Sequence, residues 1–146
     1  MKIFAFFAAC LFLAGELFAA GDPADILGLT LKEAYGRFGV PEEVMPVRGD
    51  DPRQDDVVFR YAGGVSLFWY RGRVWQVRLD AAFPGSVRGL VVGSSRNDVV
   101  AALGQPFHAE EDWLLYHFAG NGFPVRLRLF FSGDRLDDAY LYRGDF

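Results

Sequence analysis

The chain carries one sequence pattern twice. Residues 28–41 return as residues 93–106, 65 positions later, with glycine, a hydroxyl residue, an acidic residue, glycine and proline at matching places. An internal repeat identifies the structural unit before any local prediction is made. We therefore divide the chain into residues 21–85 (repeat 1) and residues 86–146 (repeat 2). Shorter blocks repeat in the same order: residues 55–63 with 112–120, where Tyr61 matches Phe118, and residues 71–74 with 132–136.

Each repeat is predicted to begin with a short helix. Thr30 and Glu33 have the spacing of a capping box, and Ser95 and Asp98 have the same spacing in repeat 2. Glycine and then proline follow each apolar stripe, which is typical of a helix C-terminus. A helical turn is predicted before each helix. The residues concerned are Pro23–Leu27 and Val87–Val92 for the turns, and Gly39, Pro41, Gly104 and Pro106 for the helix ends.

Three strands, joined by glycine-containing hairpin turns, are predicted after each helix. A unit of about 60 residues buries only a modest share of its surface, so two units that share a sheet are favoured. The predicted fold class is α+β, with two tandem ααβββ-type repeats forming one continuous antiparallel sheet and helices packed on one face. The predicted strands are Val57–Tyr61, Val65–Tyr70, Val74–Leu79, Trp113–Phe118, Val125–Phe131 and Leu136–Tyr142.

The first twenty residues have the layout of a secretory signal peptide. A lysine precedes an apolar run of about 12 residues, which is shorter than the roughly 17–25 residues of a membrane-spanning helix. Small residues near Ala20 predict cleavage there and a periplasmic or secreted mature protein, and the alternative is that the segment is retained as an anchor. Cys10 lies in a sequence that loosely resembles a lipobox, but a lipoprotein is disfavoured because an apolar stretch with Glu16 follows it.

The charge and the cysteine content disfavour several classes of function. A net charge of −4 with dispersed arginines does not favour nucleic-acid binding. Cleavage at Ala20 would leave no cysteine, which excludes a disulfide scaffold and cysteine-ligated metals, and no cofactor is predicted. The mature chain contains no apolar segment long enough to span a bilayer, although a location near a membrane is compatible with the sequence.

The motif of repeat 2 resembles a known family. The segment Gly93-Ser-Ser-x-x-Asp-Val-x-x-x-Leu-Gly-x-Pro106, followed by Tyr116 and a hairpin at Gly133, looks like the outer-membrane assembly lipoproteins of the BamE (SmpA/OmlA) type. Two such units in tandem resemble the β-lactamase inhibitory protein (BLIP) family, in which paired repeats form one concave sheet. The resemblance implies an exported, non-catalytic module that binds proteins with its sheet. The chain lacks the disulfide of each BLIP repeat, and its turn at Gly63 lacks the acid that BLIP inserts into the enzyme.

The sequence offers weak candidates for catalysis. His108 lies near Glu110 and Asp112, but a site needs ligands that converge from fixed elements, and one loop without a second histidine does not provide them. We therefore predict that the protein is not an enzyme. The alternative is a periplasmic ligand-binding protein or a hydrolase that uses the His108 loop.

Strand alternation predicts which side chains face the core. The predicted core-facing residues are Val57, Phe59, Tyr61, Leu67, Trp69, Trp75, Val77 and Leu79, then Leu114, Tyr116, Phe118, Val125, Leu127, Leu129, Phe131, Ala139 and Leu141. A shift of the strand register by one residue would exchange the faces to which Phe68 and Trp69 point.

The opposite face of the sheet mixes arginines with large aromatic residues, both of which are enriched at interface hot spots. This mixture is compatible with a face that binds another protein of the cell envelope, with cross-strand pairs that only stiffen the sheet, or with a small-ligand groove. The candidate partner-binding residues are Arg60, Phe68, Tyr70, Arg78, Trp113, His117, Arg126, Arg128, Phe130, Tyr140 and Tyr142, and Gln76 lies on the same face.

Overall fold

The computed structural model describes residues 21–50 and 56–146. The predicted signal peptide and Cys10 lie outside the described residues. The largest structural unit of the described chain is one eight-stranded antiparallel sheet, and two short helices accompany it. The coarse prediction of an α+β fold built on a large antiparallel sheet is therefore confirmed.

The strand order of the large sheet is β1-β2-β3-β4-β10-β9-β8-β7. The predicted strands are present within one or two residues at each end, and short edge strands that were not predicted flank them. A separate two-stranded hairpin, β5 with β6, completes the strands. Their bounds are β1 Glu43–Val47, β2 Asp56–Tyr61, β3 Val65–Tyr70, β4 Arg73–Leu79, β5 Ser86–Val87, β6 Leu90–Val91, β7 His108–Ala109, β8 Trp113–Ala119, β9 Pro124–Ser132 and β10 Arg135–Arg143.

Helix α1 spans Leu31–Phe38 and helix α2 spans Arg96–Leu103. Both begin with the predicted capping box, in which the N-cap backbone N–H donates to the carboxylate three residues on and the hydroxyl accepts from that residue's N–H. Both end at a glycine with positive φ, 76° at Gly39 and 79° at Gly104. Because L-residues with side chains rarely adopt such φ values, these glycines fix the point at which each helix stops.

The helical turn predicted before α1 is present as a 3₁₀ helix at Pro23–Ile26, but the one predicted before α2 is wrong. Residues of the Val87–Val92 segment instead form the β5–β6 hairpin. Its central residues, Arg88 and Gly89, have φ values of 50° and 81°. Positive φ at both positions is characteristic of a type I′ turn, which matches the twist of a two-residue hairpin and cannot continue a right-handed helix.

One face of the sheet carries the core, and both helices pack against it. Ala34 and Phe38 of α1 and Val99 of α2 belong to the same buried cluster as the predicted inward-facing strand residues. Trp69 is buried and Phe68 is not, so the predicted register of β3 is confirmed. Phe118 is only partly buried against the core.

One predicted core-facing residue, Trp75, is wrong. A β-bulge in β4 places Val74 opposite Trp69 and Gln76 opposite Phe68, which leaves Trp75 as the extra residue on the open side. Val74 is completely buried in the position predicted for Trp75. Val57 pairs with Trp69 and so points to the helix side as predicted, but its side chain is 42% exposed.

The two halves of the sheet make matching contacts. The N–H of Gly28 donates to the Val74 carbonyl and the N–H of Gly93 donates to the Leu136 carbonyl, each at 2.7 Å. Corresponding pairs link the Arg73 and Arg135 guanidinium groups to the Gly28 and Gly93 carbonyls, at 2.8 and 3.2 Å. A bulge also occurs in both closing strands, between Val74 and Gln76 and between Leu136 and Asp138.

The contacts differ from the sequence alignment at one tyrosine. The Tyr61 hydroxyl donates to the Gly39 carbonyl at 3.4 Å, and the Tyr116 hydroxyl donates to the Gly104 carbonyl at 3.0 Å. Tyr61 and Tyr116 thus make the same kind of contact, whereas the sequence comparison matches Tyr61 with Phe118. Burial raises the pKa of Tyr61 to about 12 and also raises the pKa of Tyr116.

Candidate functional site

The open face is the side of the large sheet opposite the helices. Strand pairing places every candidate residue on it, because each one pairs across the sheet with another member of the face or alternates with a buried neighbour. One row crosses all the strands of the sheet. In spatial order it contains Glu43, Arg60, Ser66, Arg78, Tyr140, Arg128, Leu115 and His108.

Two of the arginines in this row have acidic partners. Arg78 donates to both carboxylate oxygens of Asp138 at 2.8 Å, and Arg60 forms a more exposed ion pair with Glu43 at 3.3 Å. The hydrogen bonds that Arg78 donates to Asp138 raise the pKa of the Arg78 guanidinium above its ordinary value. Arg78 therefore stays charged and is held beside Asp138, with its guanidinium 5.8 Å from the Tyr140 ring.

Arg128 occupies the central part of the face in a different environment. Its guanidinium lies 4.7 Å from the Trp113 ring centroid and 5.8 Å from that of Tyr142. Among the described residues, no carboxylate forms an ion pair with Arg128 or with Arg126, its neighbour on the same face of β9. The Arg128 Nε is buried and has no hydrogen-bond partner. The Arg128 Nη2 donates to the Tyr142 hydroxyl at 3.4 Å. The aromatic rings thus hold a cation whose Nε donor is not used.

A groove of about 320 Å³ lies beside Arg128. Its walls are mainly aromatic, and Phe130 and Tyr140 meet edge to face with ring centroids 5.6 Å apart. The Trp75 Nε1 is a second buried donor without a partner. The groove is lined by Trp75, Gln76, Arg128, Phe130, Tyr140 and Tyr142.

The structure brings some predicted site residues together and separates others. Arg78, Trp113, Arg128, Phe130, Tyr140 and Tyr142 form the central cluster. Arg60 lies two strands away from β4, and Phe68 pairs with Gln76 beside the groove. Arg126 lies between Tyr142 and His117. His117 stacks on Phe107 at 4.0 Å, and Tyr70 meets Phe146 at 5.4 Å, so these two lie in smaller clusters at the margins.

Sequence reasoning missed two residues of the central cluster. Trp75 is among the predicted core-facing residues, and Asp138 is not among the candidate partner-binding residues. Both lie at β-bulges, where strict alternation of side chains fails. The sequence contains a weak signal for Asp138, because an acidic residue on a strand beside arginine-bearing strands is expected to form an ion pair with one of those arginines.

The His108 loop does not form a larger cluster. The Nε2 of His108 lies 2.7 Å from the Glu110 carboxylate, and both side chains are about half exposed. The Asp112 backbone carbonyl accepts from Phe131 N–H at 2.7 Å, which anchors the loop to β9. In the part of the chain that the structure describes, no group of three or more His, Cys, Asp or Glu side chains could hold a metal ion.

None of the helices within residues 21–50 and 56–146 has the length and apolar character needed to cross a membrane.

Comparisons with known proteins show likeness of fold only. No protein-family model matches the chain, and no curated protein matches it in sequence. An extracellular SCP-domain protein from Bacillus anthracis has a TM-score of 0.59 and 9% identity, over 87% of this chain and 47% of its own. A cysteine-rich secretory protein from Staphylococcus aureus has a TM-score of 0.53 and 12% identity, over 83% and 46% respectively. A DUF4309 family protein from Bacillus subtilis has a TM-score of 0.47 and 18% identity, over 78% of each chain.

The chain spans less than half the length of the first two of these structures. Both are described as extracellular or secretory proteins, so a fold like that of this chain occurs in such proteins. The resemblance to the BLIP and BamE families, which rests on caps and turns, stays a prediction.

Proposed function

We propose that the protein is an exported, non-catalytic interaction module that binds another envelope protein through the open face. The observation that carries this proposal is the Arg128 cluster, in which a cation held between Trp113 and Tyr142 has no acidic partner among the described residues. Arginine and tryptophan are the residue types that most often dominate binding energy at interfaces. Two biological forms fit this chemistry: an envelope-assembly or scaffold factor, and a proteinaceous inhibitor of a hydrolase.

We also propose that the chain consists of two copies of one unit, residues 21–85 and 86–146, that follow a signal peptide ending near Ala20. Gly28 donates to β4 as Gly93 donates to β10, and the Tyr61 and Tyr116 hydroxyls each donate to the glycine carbonyl at the end of a helix. These matching contacts support the arrangement. Joining the units through β4 and β10 leaves one uninterrupted open face, larger than either unit could offer alone. The occurrence of this fold in extracellular proteins supports export.

Affinity capture with a charge-reversed face tests the interaction. Lys32 is the only lysine in residues 21–146 and lies exposed on α1, so amine coupling through it presents the open face to solution. The coupled protein is incubated with envelope extract from the source cells, and retained proteins are quantified by mass spectrometry. We expect Arg126→Glu with Arg128→Glu to lower capture of the specific partner about 30-fold, since hot-spot residues contribute about 2 kcal/mol or more.

The matched control is Arg37→Glu with Arg88→Glu, which makes the same change in net charge on the helix side. Arg37 lies over Phe38 and Arg88 lies over Phe118, both of which point toward the core. Partner capture should be retained by this control. Equal loss in both double variants, or no loss in either, would contradict binding through the open face.

A further inference from the structure

The groove beside Arg128 differs from the rest of the open face in its hydrogen bonding. Arg60 and Arg78 each donate to a carboxylate, whereas the Arg128 Nε and the Trp75 Nε1 are buried without partners. Buried polar groups in proteins nearly always have a hydrogen-bond partner, and an exception requires an explanation. The residues that carry these two donors line the same groove.

The charge around the groove favours an anion. Arg126 and Arg128 point from β9 onto the same face, and no described acidic side chain pairs with either. The protein as a whole carries a net charge of −4, so this positive region is an exception on an acidic molecule. A ligand of negative charge would be attracted to this region and repelled from most of the remaining surface.

The shape and lining of the groove indicate the kind of anion. A guanidinium fork fits the geometry of a carboxylate, and a carboxylate has a second oxygen that can accept from another N–H. The walls are aromatic except for Gln76 and Arg128, and aromatic walls suit an anion carried on an apolar stem more than a strongly hydrated phosphate. A volume of about 320 Å³ is at the lower end for ligand pockets, so it fits one side chain of a larger molecule.

We propose that this groove receives a glutamate or aspartate side chain from an acidic, partly apolar segment of the partner protein. This inference rests on the proposed function. The Arg128 guanidinium binds the carboxylate, and the Trp75 indole N–H supplies a second hydrogen bond. Because both donors are covered in the free protein, binding requires a rotamer change in the aromatic wall, which is common when interfaces form.

Nuclear magnetic resonance of the ¹⁵N-labelled full chain tests the inference without any substitution. The probes are the blocked peptides acetyl-Ala-Glu-Phe-Ala-amide and its Gln counterpart, and free glutarate. We expect the Glu peptide to shift the Trp75 indole N–H and Arg128 Nε–H signals, with at least tenfold weaker binding of the Gln peptide. Equal binding of the two peptides, or shifts confined to other parts of the protein, would overturn carboxylate recognition. Glutarate that binds as tightly as the Glu peptide would overturn the assignment to a protein segment.

A pair of matched variants identifies the residue responsible. Arg128→Gln should reduce Glu-peptide binding at least tenfold, whereas Arg60→Gln, the same change on the same face but outside the groove, should leave it within twofold. Equal losses would indicate general charge attraction and overturn a specific role for Arg128. The outcome is separable from the broader proposal. If peptide discrimination fails while partner capture still depends on Arg126 and Arg128, only the carboxylate inference falls.

Discussion

At the scale of single residues, the chain shows how one glycine can be required for two different reasons. Gly64 has a φ of 71°, and a Cβ built there would collide with the Asp80 carboxylate and lie 2.8 Å from the Phe83 backbone nitrogen. Gly133 has a similar φ of 61°, but nothing lies within 4 Å of a Cβ at that position. The first glycine therefore permits both a turn and a close approach, and the second permits a turn only.

This difference predicts unequal costs for the same substitution. Gly133→Ala should lower the free energy of unfolding by about 1–2 kcal/mol, the cost of a side chain in left-handed backbone. Gly64→Ala should cost roughly 1–3 kcal/mol more, as overpacking does, because the backbone of Phe83 cannot move aside freely. Urea unfolding of both variants measures the difference. Equal costs would mean that the contact of Gly64 with residues 80–83 does not constrain the turn.

At the scale of elements, the sequence predicts what depends on local chemistry. The capping boxes at Thr30 and Ser95 and the core-facing alternation of β9 are confirmed, because each depends on residues that are adjacent in sequence. The bulges at Trp75 and Asp137 depend on how β4 and β10 pair with their neighbours, so strict alternation assigned Trp75 to the wrong face. The β5–β6 hairpin was missed because its Arg88-Gly89 turn is not among the dipeptides most typical of a type I′ turn. Trp75 lines the groove because the bulge in β4 places it on the open face. Strict alternation of side chains could therefore not predict the groove.

The two capping boxes predict a shared pH dependence. Hydrogen bonds from the Thr30 backbone and side chain lower the pKa of Glu33, and hydrogen bonds from the Ser95 side chain and backbone lower the pKa of Asp98. A carboxylate whose pKa is lowered by folding stabilises the protein above its unfolded pKa, and this stability is lost as the pH falls through the folded pKa. The melting temperature should therefore decrease from pH 6 toward pH 3.

The double variant Glu33→Gln with Asp98→Asn keeps side chains of similar shape and removes the titrating groups. Its melting temperature at pH 6 should lie below that of the unaltered protein, and the gap should narrow toward pH 3. A gap that stays constant with pH would show that the charges of these two carboxylates contribute nothing to the caps. Thr30→Ala serves as a control for the cap itself and should cost about 1 kcal/mol at pH 6. It should cost less at pH 3, because the Thr30 hydroxyl also donates to the Glu33 carboxylate.

At the scale of the whole molecule, the seam between β4 and β10 determines whether the halves depend on each other. Leu79 pairs with Ala139, Arg78 with Tyr140 and Val77 with Leu141 across the seam, and the aliphatic members of these pairs are fully buried. If residues 21–85 and 86–146 are copies of one unit, the pair of Arg78 with Tyr140 lies on the axis that relates them. Separating the halves would expose an unpaired apolar edge on each, and such edges associate.

The intact chain should therefore unfold in one cooperative transition, and the separated halves should be unstable as monomers. The pseudo-symmetric pairing of β4 with β10 also predicts that the two separated halves form homodimers of different stability. Residues 86–146 would place Tyr140 opposite Tyr140, a favourable cross-strand pair, whereas residues 21–85 would place Arg78 opposite Arg78, and like charges in that position destabilise a sheet. Sedimentation should show dimers of residues 86–146 at lower concentration than dimers of residues 21–85. Arg78→Tyr in residues 21–85 should then restore dimerisation. Two resolved transitions in the intact chain, with each half folded as a monomer, would instead show that the halves are independent and that the open face is not one continuous surface.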